Sequence, residues 1–495
     1  MFLEKSDKME EECGVIAFHS NKIRENLTSL AYIGMQALQH RGQECAGMTI
    51  CDSITENKVR HKTLKDMGLV SEVFSMEELL KYKGNILIGH VRYATTGIVT
   101  VDNAQPFSGD SGMGNISLAH NGNLIKIEKL KEKLMKDGIT FHATSDTEVI
   151  LKLLGRNAKY GMKEALLKTL DVIEGAFALV IIINDKLIGI RDPRGIRPLC
   201  MGQREDGTYV LASETVALDT VNAKYIRDID AGEMIIIDEN GIESIKYLEL
   251  LENNRKNEGK ASCAFEYVYF ARPDSIIDGI DVYQVRHDAG RYLYEQHPVE
   301  ADIVIGVPDS GIPAAIGYAE ASGIPFAKAL VKNKYIGRSF IYPTQELREQ
   351  AVKVKLNPIR KMIEGKRVVV VDDSLVRGTT SKKLIKMIRD AGAKEVHLKV
   401  SAPPFLHPCY FGTDIPNEQQ LIAHNRTVDE ICKVIGADSL SYLRMDRLKE
   451  LSNGLPICTA CFSADYPIEP PKEDIRGEYF DKGSDSCGAP KKLEQ

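Results

Sequence analysis

Residues 366–383 read KRVVVVDDSLVRGTTSKK, and the reading of this stretch decides the fold of the half of the chain that carries it. Four successive valines make a strand apolar on both faces, which is what a central strand of a parallel sheet covered by helices requires. Two acids stand at its carboxyl end, and a Gly-Thr-Thr-Ser turn then opens a helix. In open parallel sheets ligands bind outside those carboxyl ends. The turn amides, the flexibility of Gly378, the hydroxyls of Ser374, Thr379, Thr380 and Ser381, and the helix N-terminus together suit a phosphate group. Asp372 and Asp373 would then face ribose hydroxyls or a divalent ion. An acidic pair at a strand end also occurs in response-regulator and phosphatase folds, and Gly-Thr-Thr also serves as a plain helix cap, so both readings stay open on these residues alone.

On either side the same alternation continues: ADIVIGVP (301–308), AAIGYAEASG (314–323), IPFAKALV (324–331), TTSKKLIKMIRDAG (379–392) and VHLKVSAPP (396–404). Valine- and isoleucine-rich strands joined by amphipathic helices predict a doubly wound parallel α/β domain. Before residue 250 the pattern differs. Short β-branched runs end in Gly and Asn turns, as in NILIGHVRYATTG (85–97), NISLAHNGN (115–123), FALVIIINDKLIGI (177–190) and EMIIIDENG (233–241). Ser145 and Asp146 are good caps for a helix over TEVILKLLGRN (147–157). LENNRKNEGKAS (251–262) is polar, lacks apolar periodicity and is read as the linker, and GEYFDKGSDSCGAPKKLEQ (477–495) as a frayed tail. The division expected is 1–12, 13–250, 263–470 and 471–495.

The chain has 495 residues, 43% hydrophobic and 27% charged, enough for sizeable cores. Its 64 basic against 70 acidic residues give a net charge of −6, which supplies no global field for nucleic acid or an anionic membrane. The run from Phe177 to Ile183 stops far short of the ~20 residues of a membrane span, and the acidic N-terminus is unlike a signal peptide. A cytoplasmic protein is expected. Ten cysteines there are not a disulfide framework; only Cys458 and Cys461, in ICTACF (457–462), have the spacing that sets two thiolates on one metal.

VVVVDDSLVRGTTS resembles the phosphoribosyl pyrophosphate (PRPP) loop of type I phosphoribosyltransferases. That resemblance implies a 5′-phosphate held by the loop, Arg377 included, and ribose hydroxyls on the two acids. IVIGVPDSG (303–311) resembles the family's pyrophosphate-side loop, with Ser310, Asp372 and Asp373 as expected magnesium contacts. VKNKYIGRSFIYPTQELRE (331–349) is similar to the mobile lid of one subgroup, making Lys334, Tyr335 and Arg338 expected PRPP contacts.

In the first half, EEECGVIAF (10–18), ALQHRGQECAG (37–47), GHVRYATTG (89–97), LAHNGNL (118–124) and TSDTE (144–148) follow in order, with RDPRGIRPL (191–199) and ASET (212–215) after them. Together they resemble the glutamine amidotransferases whose nucleophile is an N-terminal cysteine, with an αββα fold. A free α-amine, pKa near ~8, can take the proton of the thiol on its own residue. Cys13 must then become the first residue, by loss of residues 1–12 as a propeptide. Arg92 offers a fork of donors for the glutamine α-carboxylate and Asp146 a counter-charge for its amine, with Thr95 helping to hold the substrate. The Asn121 side chain and Gly122 amide can donate to an oxyanion.

A glutaminase followed by a PRPP site resembles the amidophosphoribosyltransferase family. The resemblance implies ammonia passed internally to the anomeric carbon of PRPP, a homotetramer, and feedback by purine nucleotides such as AMP and GMP. One branch holds a [4Fe-4S] cluster in contexts similar to ASCAFEYVYFARPDS (261–275), HPCYFGTDIP (407–416) and ICTACF, which implies Cys263, Cys409, Cys458 and Cys461 as ligands with a structural role. Four thiolates also suit zinc. Cys45, Cys51, Cys200 and Cys432 are expected in cores, and Cys487 has no role. Two rivals remain: another N-terminal-cysteine amidotransferase, such as a hexosamine-phosphate synthase, which needs a sugar isomerase half, and a PRPP-binding regulator, which needs a DNA-binding element and no Cys13, Arg92, Asn121, Asp146 set.

Overall fold

A computed structural model describes residues 13–54, 59–93, 100–251, 259–333, 356–413, 415 and 417–471. The expectations for the propeptide, Thr95, Lys334, Tyr335, Arg338, Cys487 and the tail lie outside these residues, as does most of the linker.

The first half is four layers deep. One sheet has seven antiparallel strands, in the order Ala223–Asp228, Cys200–Arg204, Tyr209–Ala212, Gly14–Arg24, Gly84–Arg92, Cys45–Cys51 and His61–Met67. The other has six, in the order Gly241–Lys246, Glu233–Asp238, Lys186–Arg191, Glu174–Ile183, Gly114–Ile125 and Phe107–Ser111. Side chains on a strand alternate between faces, and here both faces are apolar. Val15 and Ala17 join Ile86, Ile88, Ala178, Val180 and Ile182 in the core between the sheets. Ile16 and Phe18 pack outward against the helix Leu27–Ala37. Phe177, Leu179 and Ile181 pack the other way, against Asp146–Asn157 and Met162–Leu170. A strand buried on both faces needs an uninterrupted apolar run, which is why residues 177–183 carry one without spanning a membrane.

The second half is built on four parallel strands in the order Ile303–Gly306, Arg367–Asp372, Glu395–Val400 and Ser439–Tyr442. Helices Val282–Gln296 and Ile312–Ser322 cover one face, and Thr379–Asp390 and Val428–Ile435 the other. Two details depart from the sequence reading. IPFAKALV contributes only a single parallel bridge, Val304 to Phe326, and then a short strand, Leu330–Lys332, that pairs antiparallel with Leu356–Pro358. The fourth strand of the sheet, SLSY, is too short and too polar to stand out as one. Cys45, Cys51 and Cys200 are buried as expected, but Cys432 is only partly so: it sits at the rim of the Val428–Ile435 helix, its thiol bonded to the Ala437 carbonyl.

The halves are joined by buried polar contacts. Arg191 grips Asp278 with two nitrogens at 2.7 and 2.9 Å, and Lys260 and Ser262 complete the site. Arg197 donates to the Phe411 carbonyl, and Asn123 to that of Tyr410 at 2.9 Å. Among the described residues no helix is long and apolar enough to cross a membrane.

Candidate functional sites in the two halves

Cys13 lies at the start of the strand Gly14–Arg24, buried, its thiol donating to the Tyr93 carbonyl at 3.4 Å. Gly14 pairs with Val91 and Cys45 with Arg92, so the strand that ends in Arg92 runs between the two cysteines. Burial pushes the Cys13 thiol up to about 12, a shift that the nearby Arg92 guanidinium opposes and does not cancel. A thiol in that state is protonated at neutral pH and needs a base.

Asp146 is the first residue of the helix Asp146–Asn157, whose cap is Ser145. Its carboxylate accepts from the Leu124 amide at 2.9 Å and lies 3.6 Å from His120. Burial acts to raise its pKa, but His120 and the amides of Leu124 and Thr147 outweigh that and hold it below the usual range, so it is ionised. Asp146 also acts electrostatically on Cys13, raising the thiol as burial does, while Arg92 lowers it. Asn121 is fully buried between them in sequence terms, on the strand Gly114–Ile125, and neither its oxygen nor its nitrogen finds a hydrogen-bond partner among the described residues. Buried amides are rarely left so. Gly122, at φ +141°, takes a conformation few L-residues adopt, and a Cβ there would stand 2.0 Å from the Ala176 carbonyl.

In the second half the acids lie where the valine strand ends. Asp372 and Asp373 are buried, the Asp373 amide donates to Asp372 at 3.0 Å, and both Ser310 and Ser374 hydroxyls bond to the Asp373 carboxylate. Ser310 thus meets Asp373 from the neighbouring strand end. The loop closes on Gly378, at φ +84°, immediately before the helix Thr379–Asp390. Ser374, Arg377 and Thr380 are half-buried, Thr379 is exposed, and Ser381 is buried.

Cys263, Cys409, Cys458 and Cys461 line one small cavity with Phe265, Phe405, Phe411 and Arg197. Cys263 and Cys458 are register partners in a parallel pair, and the Leu406 and His407 amides both bond to the Cys461 carbonyl. Four thiols in an aromatic pocket beside a buried guanidinium have the donor chemistry of a thiolate-bound cluster of net negative charge, while no group of His, Cys, Asp or Glu among the described residues is drawn together as metal ligands are.

The sequence reading missed the charged groups that join these sites. Arg41 in QHRG, Glu214 in ASET, and Glu266 and Arg286 are all buried. Arg41, Glu214 and Glu266 lie inside strings quoted for other residues, and only Glu266, in AFEYVYF (264–270), stands as a charge within an apolar run.

Comparison with known proteins finds a match in each half. Residues 90–220 match the model of a glutamine amidotransferase domain, and 283–408 that of a phosphoribosyl transferase domain. An amidophosphoribosyltransferase of Methanothermobacter thermautotrophicus is 45% identical over 94% of this chain and 96% of its own. A structure described as the allosteric regulatory enzyme of purine biosynthesis is 44% identical, with a TM-score of 0.86, over 94% of this chain and 98% of that one. The glutamine PRPP amidotransferase of B. subtilis, solved with ADP and GMP, gives 44% and 0.85 over 94% and 99%. Identity at this level, sustained along nearly the whole of both chains, shows that the chain belongs to the amidophosphoribosyltransferase family and is an enzyme, a glutamine-dependent phosphoribosyltransferase.

Proposed function

We propose that glutamine is hydrolysed at Cys13 and that the ammonia released attacks the anomeric carbon of PRPP, giving 5-phosphoribosylamine, glutamate and pyrophosphate, the first committed step of purine synthesis. The observation that carries this reading is the buried Asn121 amide, which has no partner among the described residues and lies on the strand whose Leu124 amide bonds to Asp146, with Cys13 beside the Arg92 strand in the other sheet. Loss of residues 1–12 gives Cys13 an α-amine that takes the thiol proton, which burial otherwise keeps in place. Arg92 and Thr95 orient the glutamine carboxylate, the ionised Asp146 its ammonium group. Asn121 and the Gly122 amide donate to the oxyanion as the thiolate adds to the side-chain carbonyl.

At the second site the residues 374–381 hold the 5′-phosphate at the helix N-terminus, Asp372 and Asp373 hold the ribose hydroxyls, and Lys334, Tyr335 and Arg338 meet the pyrophosphate. Magnesium, when bound by Ser310, Asp372 and Asp373, would neutralise charge on the leaving pyrophosphate. Cys263, Cys409, Cys458 and Cys461 would hold a [4Fe-4S] cluster, which ties the entry of the second half to its end without touching substrate. The domain division 13–250 and 263–470 is part of this reading, as are a homotetramer, purine-nucleotide feedback and a cytoplasmic location.

The test is PRPP turnover with glutamine or with ammonium as nitrogen donor. Cys13→Ala should lose the glutamine reaction and keep the ammonium one; loss of both in equal measure would refute separate sites. Intact mass should show the active chain starting at Cys13, and an active enzyme that retains Met1 would sink the α-amine mechanism.

A further inference from the structure

Removal of residues 1–12 leaves Cys13 attached only through its own carbonyl carbon, so what fixes that carbonyl fixes the thiol and the amine together. Arg41 Nε donates to the Cys13 carbonyl oxygen at 3.1 Å. The same guanidinium is held at its far side by Glu266, through Nη1 at 2.9 Å and Nη2 at 2.7 Å, and by Glu214 through Nη1 at 2.7 Å. Glu266 belongs to the other half of the molecule, in the π-helical turn Glu266–Phe270 three residues after Cys263. Arg41, Glu214 and Glu266 side chains are all at most 1% exposed. Glu214 reaches across as well, accepting from the Arg272 amide at 2.9 Å and the Ser275 hydroxyl at 2.7 Å. Arg286 holds the turn from the PRPP side, donating to the carbonyls of Tyr267 at 2.8 Å and Ala271 at 2.7 Å.

We infer that Glu266 is a positioning residue for the glutaminase: clamping Arg41 in a bidentate pair, it lets the phosphoribosyl half fix the Cys13 main chain. A planar fork held at both ends has one orientation, which a point cation would not. The thiol and α-amine must meet the glutamine carbonyl in a near-attack geometry, and a displacement of about 1 Å can cost about 100-fold. The glutaminase site is therefore incomplete in the first half alone. The inference rests on the reading of Cys13 as nucleophile.

The test uses the full-length enzyme and compares Glu266→Gln, Arg41→Lys and the double variant. Gln keeps the volume but sets an amide N–H against the guanidinium. Glu266→Gln should lower kcat for glutamine about 10- to 100-fold, leave KM for glutamine within about threefold, and leave ammonium-dependent turnover within about threefold. Alkylation of Cys13 by iodoacetamide should slow in parallel. The double variant should be no slower than Arg41→Lys, since both break one clamp. If Glu266→Gln does not fold, Arg41→Lys reads the same clamp from its other end. The inference falls if glutamine kcat is unchanged, if glutamine and ammonium activities drop by the same factor, or if the two variants' effects add. A Cys13→Ala enzyme that still hydrolyses glutamine would instead remove the reading of Cys13 on which this one rests.

Discussion

Asn121→Ala should make the protein more stable and the glutaminase much slower. The side chain is fully buried, with its oxygen and nitrogen both lacking a partner among the described residues. Each unsatisfied buried group costs about 1–3 kcal/mol, so relieving two offers about 2–6 kcal/mol. Truncation leaves a cavity of roughly 40 Å³, which at about 24 cal/mol per Å³ costs about 1 kcal/mol. The net expected is a stabilisation of about 1–5 kcal/mol, at roughly 2–4 °C in unfolding temperature per kcal/mol for a unit of this size. The same change removes an oxyanion donor, which costs about 10²- to 10³-fold in kcat. Thermal unfolding followed by calorimetry and glutamine-dependent PRPP turnover, on the same preparation, measure both. Ammonium-dependent turnover should be unchanged. A variant that unfolds earlier than the parent while keeping more than a tenth of its glutamine kcat would refute the assignment, because it would place Asn121 among ordinary satisfied core residues.

Asp278→Asn should destabilise the contact between the halves by about 3–5 kcal/mol, since it leaves Arg191 buried without its counter-charge. Burial acts to raise the Asp278 pKa, but Arg191 and Lys260 outweigh it and hold the carboxyl well below the usual range. A carboxylate with a depressed folded pKa contributes stability that is fully present above its unfolded pKa near ~4 and is lost as pH falls toward the folded value. The parent should therefore lose stability on acidification more steeply than Asp278→Asn, and parallel pH profiles of unfolding would contradict this. Gly378→Ala introduces a methyl 2.2 Å from the Ile422 side chain at φ +84°; a left-handed strain of about 1–2 kcal/mol should raise KM for PRPP about tenfold with KM for glutamine unmoved. Cys458→Ser should purify without stoichiometric iron and acid-labile sulfide, and full retention of both would exclude Cys458 as a ligand.

What was legible in the chain, and what was not, follows from which distances carry the physics. The valine strand, its acids and the Gly378 turn are local: period, turn chemistry and helix start lie within eighteen positions, and the fold places them as read. In the first half the apolar runs showed strands, because a strand buried on both faces leaves no polar positions to alternate; the αββα layering came only from the resemblance. Arg92, Asn121 and Asp146 are far apart in sequence, and only a resemblance joined them; the sheet register sets the Arg92 strand beside that of Cys13, while Asn121 lies in the other sheet and Asp146 meets that strand at Leu124. The clamp on Arg41 was not legible by either route. A charged residue in HRG reads as one that faces water, since burying one unpaired charge is prohibitive. It becomes affordable only when Glu214 and Glu266 arrive from 173 and 225 positions away to meet it at 2.7 Å. Such a pair has no local signature, because neither partner's burial makes sense without the other. The consequence is directional: a charge that only the assembled molecule can bury reports assembly. If Glu266 were a solvent-facing residue, Arg41 would be free to leave the Cys13 carbonyl; buried, it commits the nucleophile's main chain to the presence of the second half.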